Sequence, residues 1–151
     1  MGPQWDALGL SSEDPILVEA KAHIGEFRSP PSGANSLVSK DKIKSAFVAV
    51  CNDLMVTNGS DWTKVYYQYA NRISHLWWLR KQRREQPLDA KLLFINFIDA
   101  KKVTQVGVDK ITPLLNLEEV GVSDPGIFTW LLVDFGESTK KQIFVNIFGL
   151  F

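Results

Sequence analysis

Three charged side chains near the start of the chain have the types and the spacing of a site for phosphate-ester hydrolysis. Asp6 lies in QWDALGL (4–10), and Glu19 and Lys21 lie two residues apart in ILVEAKAH (16–23). Mg²⁺ prefers oxygen ligands and commonly binds one or two protein carboxylates together with water and phosphate oxygens. A lysine beside such an ion can orient a water molecule or offset the charge that develops in the transition state. The pattern therefore indicates metal-assisted chemistry on a phosphodiester.

A β-hairpin is the element that would position these residues. The two segments are rich in strand-forming residues, and SSEDP (11–15) between them consists of turn formers. Because side chains alternate along a strand, Glu19 and Lys21 share one face. If the strands pair symmetrically about the turn, Asp6 lies opposite Glu19. We expect this face to carry the chemistry and the other face to form the core, through Ile16, Val18, Ala20 and Ala22.

A structural explanation of the same residues stays open. A Glu-x-Lys pair on a strand with one solvated face is a common cross-strand charge pattern. Two carboxylates directly opposite each other repel, however, unless a positive charge lies between them. A divalent cation between Asp6 and Glu19 would remove that repulsion.

The remaining segments predict an α/β protein. We expect a loop at 25–39, helices at about 40–55 and 61–84, a strand at 92–98 covered on both faces, a short helix within 111–121, and strands at about 129–136 and 142–151. Ser39 is the expected cap of the first helix, and Ser60 or Asp61 that of the second. Because a helical crossover precedes the strand at 92–98, the sheet should be mixed. The length of 151 residues predicts a single domain, 1–151.

One face of the second predicted helix is a polar line. Gln68, Asn71, Arg72 and His75 follow one another at helical spacing, so they could face a polar cleft and contact a substrate. A solvated helix face would explain them equally well.

The end of the same helix is basic and aromatic. Its cations could contact phosphates, but complementing the helix dipole is a sufficient explanation and the one we favour. Its tryptophans could stack on bases, yet their helical spacing favours a place in the core. The residues concerned are Arg80, Lys81, Arg83 and Arg84, and Trp62, Trp77 and Trp78.

Composition excludes several classes of protein. The 17 basic and 17 acidic residues give a formal net charge of +0, so any nucleic acid must bind a local patch. No apolar run approaches the length of a membrane helix, and the first 15 residues are unlike a signal peptide. The one cysteine, Cys51, rules out an internal disulfide and fits a cytoplasmic location. One cysteine and two scattered histidines do not make a zinc site.

The motifs QWDALG, ILVEAKAH and YYQYANR resemble the PD-(D/E)XK phosphodiesterase superfamily, the restriction-endonuclease-like nucleases, and within it a group of uncharacterised bacterial proteins. The likeness covers about residues 3 to 98. It implies a mixed central β-sheet flanked by α-helices. Only five residues precede Asp6, so the N-terminal helix and strand of that fold would be missing here.

The resemblance also implies roles for individual residues. Asp6 and Glu19 would bind Mg²⁺ or Mn²⁺, Lys21 would assist the water, and Gln68 would match the helix glutamine of exonuclease-type members. Two further candidates come from their position beside the motif strand and not from the resemblance: His23 could contact a phosphate, and Glu26 could be an additional metal ligand. Replacing Lys21 or Glu19 by Ala should lead to loss of cleavage with folding largely retained.

The expected function is that of a metal-dependent nuclease-like phosphodiesterase, with DNA favoured over RNA as its partner. The alternative is a non-catalytic domain that keeps the nuclease fold and binds nucleic acid or protein. No family likeness extends beyond Asp99, and the apolar segment IFVNIFGLF (143–151) could form a homodimer interface.

Overall fold

Four strands and two helices are found in the computed structural model, which describes residues 4–22, 26, 29–56, 59, 61–64, 66–82, 88–99 and 127–134. The elements are β1 (Ala7–Ser11), β2 (Asp14–Lys21), α1 (Leu37–Asp53), α2 (Tyr67–Gln82), β3 (Lys91–Asp99) and β4 (Ile127–Asp134). The described strands form one sheet in the order β1-β2-β3-β4, with β1 antiparallel to β2 and with β2, β3 and β4 parallel. The expected α/β class with a mixed sheet is confirmed.

Parts of the sequence prediction cannot be compared with this fold. The short helix within 111–121 and the last strand at 142–151 lie outside the described residues, as do His23 and the cations Arg83 and Arg84. Within the described part of the chain, no helix is long and apolar enough to cross a membrane.

The hairpin has the predicted register. Its pairs run from Ala7 with Val18 to Ser11 with Asp14, so the strands are symmetric about a two-residue loop. The first loop residue, Ser12, has a φ of 61°, a left-handed value that suits two-residue hairpin loops because it matches the twist of the strands. The regular register ends at Ala7, since the N–H of Asp6 donates at 3.1 Å to the carbonyl of Val18, the partner of Ala7, one residue short of the expected partner Glu19.

The expected division of β2 into a chemical face and a core face is wrong. Glu19 and Lys21 lie on the buried face together with Leu17, with 4 to 6% of each residue exposed. The opposite face is only half-buried at Ile16, Val18 and Ala20. Helix α2 causes this arrangement by packing on the charged side of the sheet. The core there consists of Leu17, Leu92, Phe94, Tyr69, Ala70, Ile73 and Leu76, among others.

Strand β3 extends this buried face. In the parallel register Glu19 is paired with Phe94, and Lys21 with Asn96. Leu92, Phe94 and Asn96 are 0 to 1% exposed, whereas Leu93 and Ile95 between them are half-buried. The strand was expected to be covered on both faces, but over 91–96 one face is covered much more completely.

Helix α1 begins three residues earlier than expected. Its N-cap is Ser36 rather than Ser39, and the hydroxyl of Ser36 accepts the N–H of Ser39 at 3.1 Å. An accepted N–H three residues on is the usual role of an N-cap serine. Phe47 and Val50 are the residues that the helix buries.

Helix α2 begins later than expected, at Tyr67 rather than after Ser60 or Asp61. Asp61 does cap a turn, since its carboxylate accepts both the N–H and the hydroxyl of Thr63. Tyr66 then has a φ of 68°, which interrupts the right-handed path before the helix starts. Trp62 is therefore buried outside the helix.

Candidate active site

Glu19 is the centre of a hydrogen-bonded cluster between β2 and α2. Its Oε1 accepts from Nζ of Lys21 at 2.6 Å, and its Oε2 accepts from Nε of Arg72 at 2.7 Å. Only 5% of the Glu19 side chain is exposed. A buried carboxylate is stable only when it is paired and hydrogen-bonded, and here each oxygen has a cationic partner.

Lys21 connects the hairpin to the helix. Its Nζ also donates to Oε1 of Gln68 at 2.8 Å, and the backbone N–H of Gln68 donates to the hydroxyl of Ser29 at 2.9 Å. Gln68 lies in the first turn of α2, where backbone N–H groups have no partner within the helix, and Ser29 supplies that partner. An ammonium group has three donors, and these contacts use two of them. The remaining donor can serve a water molecule or a phosphate oxygen.

Arg72 approaches Glu19 from one turn further along α2. Its Nη2 donates to the carbonyl of Gln4 at 3.0 Å, and its guanidinium lies over the ring of Trp5, 4.9 Å from the centroid. Trp5 in turn makes an edge contact with His75, whose other neighbour is the ring of Trp78. The segment before β1 is thereby attached to the polar line of α2.

His75 is held between two indole rings and beside a cation. Burial and, secondarily, the charge of Arg72 lower the pKa of its imidazole below the ordinary value of 6.5. A neutral imidazole near pH 7 follows from this shift.

Asp6 lies at the open side of the cluster. It is exposed, and its Oδ2 accepts the backbone N–H of Ala20 at 2.7 Å. Ala20 is the residue between Glu19 and Lys21, so the hairpin fixes the Asp6 carboxylate beside the Glu-x-Lys motif. Within the part of the chain that the structure describes, Oδ1 of Asp6 makes no hydrogen bond and could bind an ion or a water molecule.

Asp6, Glu19, Lys21 and Gln68 thus lie in one region, together with the predicted contact residue Arg72 and, next to Trp5, His75. Two other candidates lie at its margin. Asn71 is half-buried on α2. Glu26, proposed as an additional metal ligand, is exposed, and its Oε2 accepts the N–H of Ala22 at 2.7 Å just past the end of β2. Arg80 and Lys81 lie in the last turn of α2, where the helix-dipole explanation requires them, and they also donate to the carbonyl of Ala90 and pair with Asp53, respectively.

The three tryptophans Trp62, Trp77 and Trp78 do not all belong to the core, although their helical spacing predicted that they would. Trp62 is in the core, Trp77 is half-buried with its N–H on Asp53, and Trp78 is 50% exposed. Trp78 is on the outer side of the helix and contacts His75 by its ring edge.

Tyr69 and Asn96 form a second polar pair, which was not identified from the sequence. Asn96 is the β3 residue paired with Lys21. The hydroxyl of Tyr69 donates to Oδ1 of Asn96 at 3.0 Å, and both residues are buried. Burial raises the pKa of the Tyr69 phenol well above its usual value, and the negative charge of Glu19 adds to the increase. Nδ2 of Asn96 has no partner among the described residues. An asparagine at a buried position of the apolar run LLFINFI was the available signal.

The donor set is suitable for Mg²⁺ in type and number, although an ion would have to compete for it. Two carboxylates, Asp6 and Glu19, are what many Mg²⁺ sites obtain from the protein. No three His, Cys, Asp or Glu side chains gather as a metal site among the described residues. Both oxygens of Glu19 already bind cations, so an ion on Glu19 must displace Lys21 or Arg72 from one of them.

Comparison of the chain with protein-family models, with curated proteins and with solved structures finds no match. The functional interpretation therefore depends on the geometry of the cluster itself.

Proposed function

We propose that the chain is a metal-dependent, nuclease-like phosphodiesterase with a restriction-endonuclease-like arrangement of its site, acting on nucleic acid and on DNA in preference to RNA. The observation that carries the proposal is the double contact of the Lys21 ammonium with Glu19 and Gln68. Motif residues that are 47 positions apart in the chain thus meet through one side-chain nitrogen, and the carboxylate of Asp6 accepts the N–H of Ala20, the residue that precedes Lys21.

In this function Asp6 and Glu19 would hold Mg²⁺ or Mn²⁺, which would polarise the phosphate and lower the pKa of a bound water. Lys21 keeps a donor available for that water or for a phosphate oxygen. Gln68 holds the ammonium in place, because its amide oxygen is the second acceptor. The buried position of Glu19 strengthens each of these electrostatic contacts.

The second candidate is a non-catalytic domain that binds nucleic acid or protein. It is favoured by the pairing of both Glu19 oxygens with cations, because the cluster is then electrically complete without an ion. In this case Lys21 and Arg72 have a structural role.

A cleavage assay with two matched variants separates the candidates. Asp6→Asn removes one exposed charge and keeps an oxygen for the N–H of Ala20. Asp14→Asn is the control, because Asp14 lies in the same hairpin and its Oδ1 also accepts a backbone N–H, that of Asp89 at 2.9 Å. Parent and variants are incubated with labelled single- and double-stranded DNA and RNA, with Mg²⁺, with Mn²⁺ and with EDTA.

We expect metal-dependent cleavage that Asp6→Asn lowers at least about a hundredfold, since a bound ion supplies several kcal/mol of charge stabilisation. Asp14→Asn should cleave as the parent does. Equal rates for the parent and Asp6→Asn would point to a contaminating nuclease. Binding of the nucleic acids without any cleavage would favour the second candidate.

A further inference from the structure

We infer that Arg72 competes with the divalent ion for Glu19 and thereby sets the ion affinity of the site. The inference rests on the proposed function, since it concerns the same ion. Arg72 holds Oε2 of Glu19, one of the two oxygens through which this carboxylate could ligate a metal. Ion binding and the Arg72–Glu19 pair would then exclude each other.

Arg72 is easier to displace than Lys21. Lys21 lies two residues from Glu19 on the same strand, is only 8% exposed, and is held by Gln68 from the other side. Arg72 approaches with the end of a long side chain, and two of its three contacts do not involve Glu19. After release it can keep the ring of Trp5 and the carbonyl of Gln4 as partners. Its departure therefore costs one charge-assisted hydrogen bond and leaves the rest of its environment in place.

Release of Arg72 from Glu19 should also affect substrate binding, because it changes the balance of charges in the cluster. Asp6 and Glu19 carry two negative charges, which Lys21 and Arg72 balance. A dication added to this balanced set produces an excess of positive charge, which a phosphodiester can neutralise. The guanidinium freed from Glu19 is itself a preferred phosphate ligand. Ion and phosphate should therefore bind more tightly together than separately.

The first test measures Mn²⁺ affinity without any catalytic turnover, by titration with detection of free Mn²⁺ in electron paramagnetic resonance. Arg72→Gln removes the competitor. Arg80→Gln is the control, because it removes the same charge from the same helix, where the Arg80 Nε donates to the carbonyl of Ala90. Arg72→Lys keeps a cation that can still reach Glu19.

We expect Arg72→Gln to bind Mn²⁺ about tenfold more tightly than the parent, the factor that corresponds to roughly 1.4 kcal/mol for one lost ionic hydrogen bond. Arg80→Gln should bind as the parent does, and Arg72→Lys should lie nearer to the parent than Arg72→Gln. Asp6→Asn should lose the ion in every background, which identifies the site.

The second measurement uses the parent chain, so it does not depend on the folding of a variant. In ¹⁵N-labelled protein, the Nε–H signal of Arg72 should shift or exchange faster when Mg²⁺ is added, while that of Arg80 should persist. Equal Mn²⁺ affinity in parent and Arg72→Gln, with an unchanged Arg72 signal, would overturn the inference and leave the proposed function standing. Absence of ion binding in both chains would overturn the inference and the metal-dependent function together.

Discussion

Glu19 is a buried carboxylate, and each of its two oxygens pairs with a cation. The sequence pattern predicts that replacing it by Ala leads to loss of cleavage and leaves folding largely retained. The structure gives a different expectation for the fold, because its removal would leave Lys21 and Arg72 largely buried and without their common partner. Charges that lose their partner inside a protein are costly.

We therefore expect Glu19→Ala to lower the free energy of unfolding by about 3 to 5 kcal/mol. Asp6→Asn, at an exposed position, should change it by less than about 1 kcal/mol. Urea unfolding followed by circular dichroism measures both values. A Glu19→Ala variant as stable as the parent would mean that the ion pairs contribute little, and inactivity of Asp6→Asn remains the cleaner sign of a catalytic role.

At the scale of the elements, helix α2 and strand β3 are joined by the Tyr69–Asn96 hydrogen bond within an apolar interface. The hydroxyl of Tyr69 donates to Oδ1 of Asn96, and Nδ2 of Asn96 is without a partner among the described residues. Removing one member leaves a buried polar group unpaired, whereas removing both leaves an apolar contact. For buried hydrogen bonds, the loss of one partner costs much more stability than the replacement of both partners by apolar groups.

Tyr69→Phe should lower the free energy of unfolding by about 1 to 3 kcal/mol, because the Asn96 amide then loses its partner. Adding Asn96→Leu should recover part of that loss, so the double variant should be more stable than the sum of the two single effects predicts. Thermal or urea unfolding of the four chains gives the coupling. Simple additivity would show that the bond is unimportant to the interface.

The elements differ in how far the sequence determines them. Hairpin register could be predicted, because turn formers sit midway between two strand-like segments and fix the pairing of Ala7 with Val18. The start of α2 could not, since the left-handed φ of Tyr66 is a tertiary effect that helix propensity does not reveal. The burial of Glu19 was also missed. A charged strand face normally indicates solvent, and only the position of α2 shows that this one is covered.

The residues of the candidate site could be predicted from the sequence where they belong to short motifs. The resemblance of three short motifs was sufficient to group Asp6, Glu19, Lys21 and Gln68, and the first three belong to one segment, 6–21, that contains the hairpin. Arg72 was grouped only as a substrate contact on a polar helix line, and its pairing with Glu19 requires the helix to be placed on the sheet. Ser29 carried no signal in its loop.

At the scale of the whole molecule, acid should destabilise the described fold in two stages. The pKa of His75 is lowered, so the unfolded chain takes up a proton before the folded chain does, and stability is lost as the pH falls below about 6.5. Asp53, Asp61 and Asp89 have lowered pKa values because of hydrogen bonds from Lys81, Thr63 and Lys91, respectively. Their contribution is present above the unfolded pKa and is lost at more acid pH, near 3.8 and below.

His75→Phe should remove the first stage, because Phe keeps ring contacts with Trp5 and Trp78 and does not titrate. The unfolding midpoint of this variant should change less than that of the parent between about pH 7.5 and 5.5. The loss at more acid pH should remain in both chains. Parallel profiles across the first interval would show that His75 does not govern it.

The two-residue loop at Ser12 and Glu13 has a further consequence for the site. The loop fixes the pairing of β1 with β2, and this pairing brings the Asp6 carboxylate to the N–H of Ala20, the residue next to Glu19. Inserting one residue into the loop would slip β1 by one position relative to β2 and carry the Asp6 carboxylate away from the N–H of Ala20. The length of the hairpin loop therefore determines how the carboxylates of Asp6 and Glu19 are placed relative to each other. A lengthened loop should abolish metal binding at the site although both residues remain in the sequence.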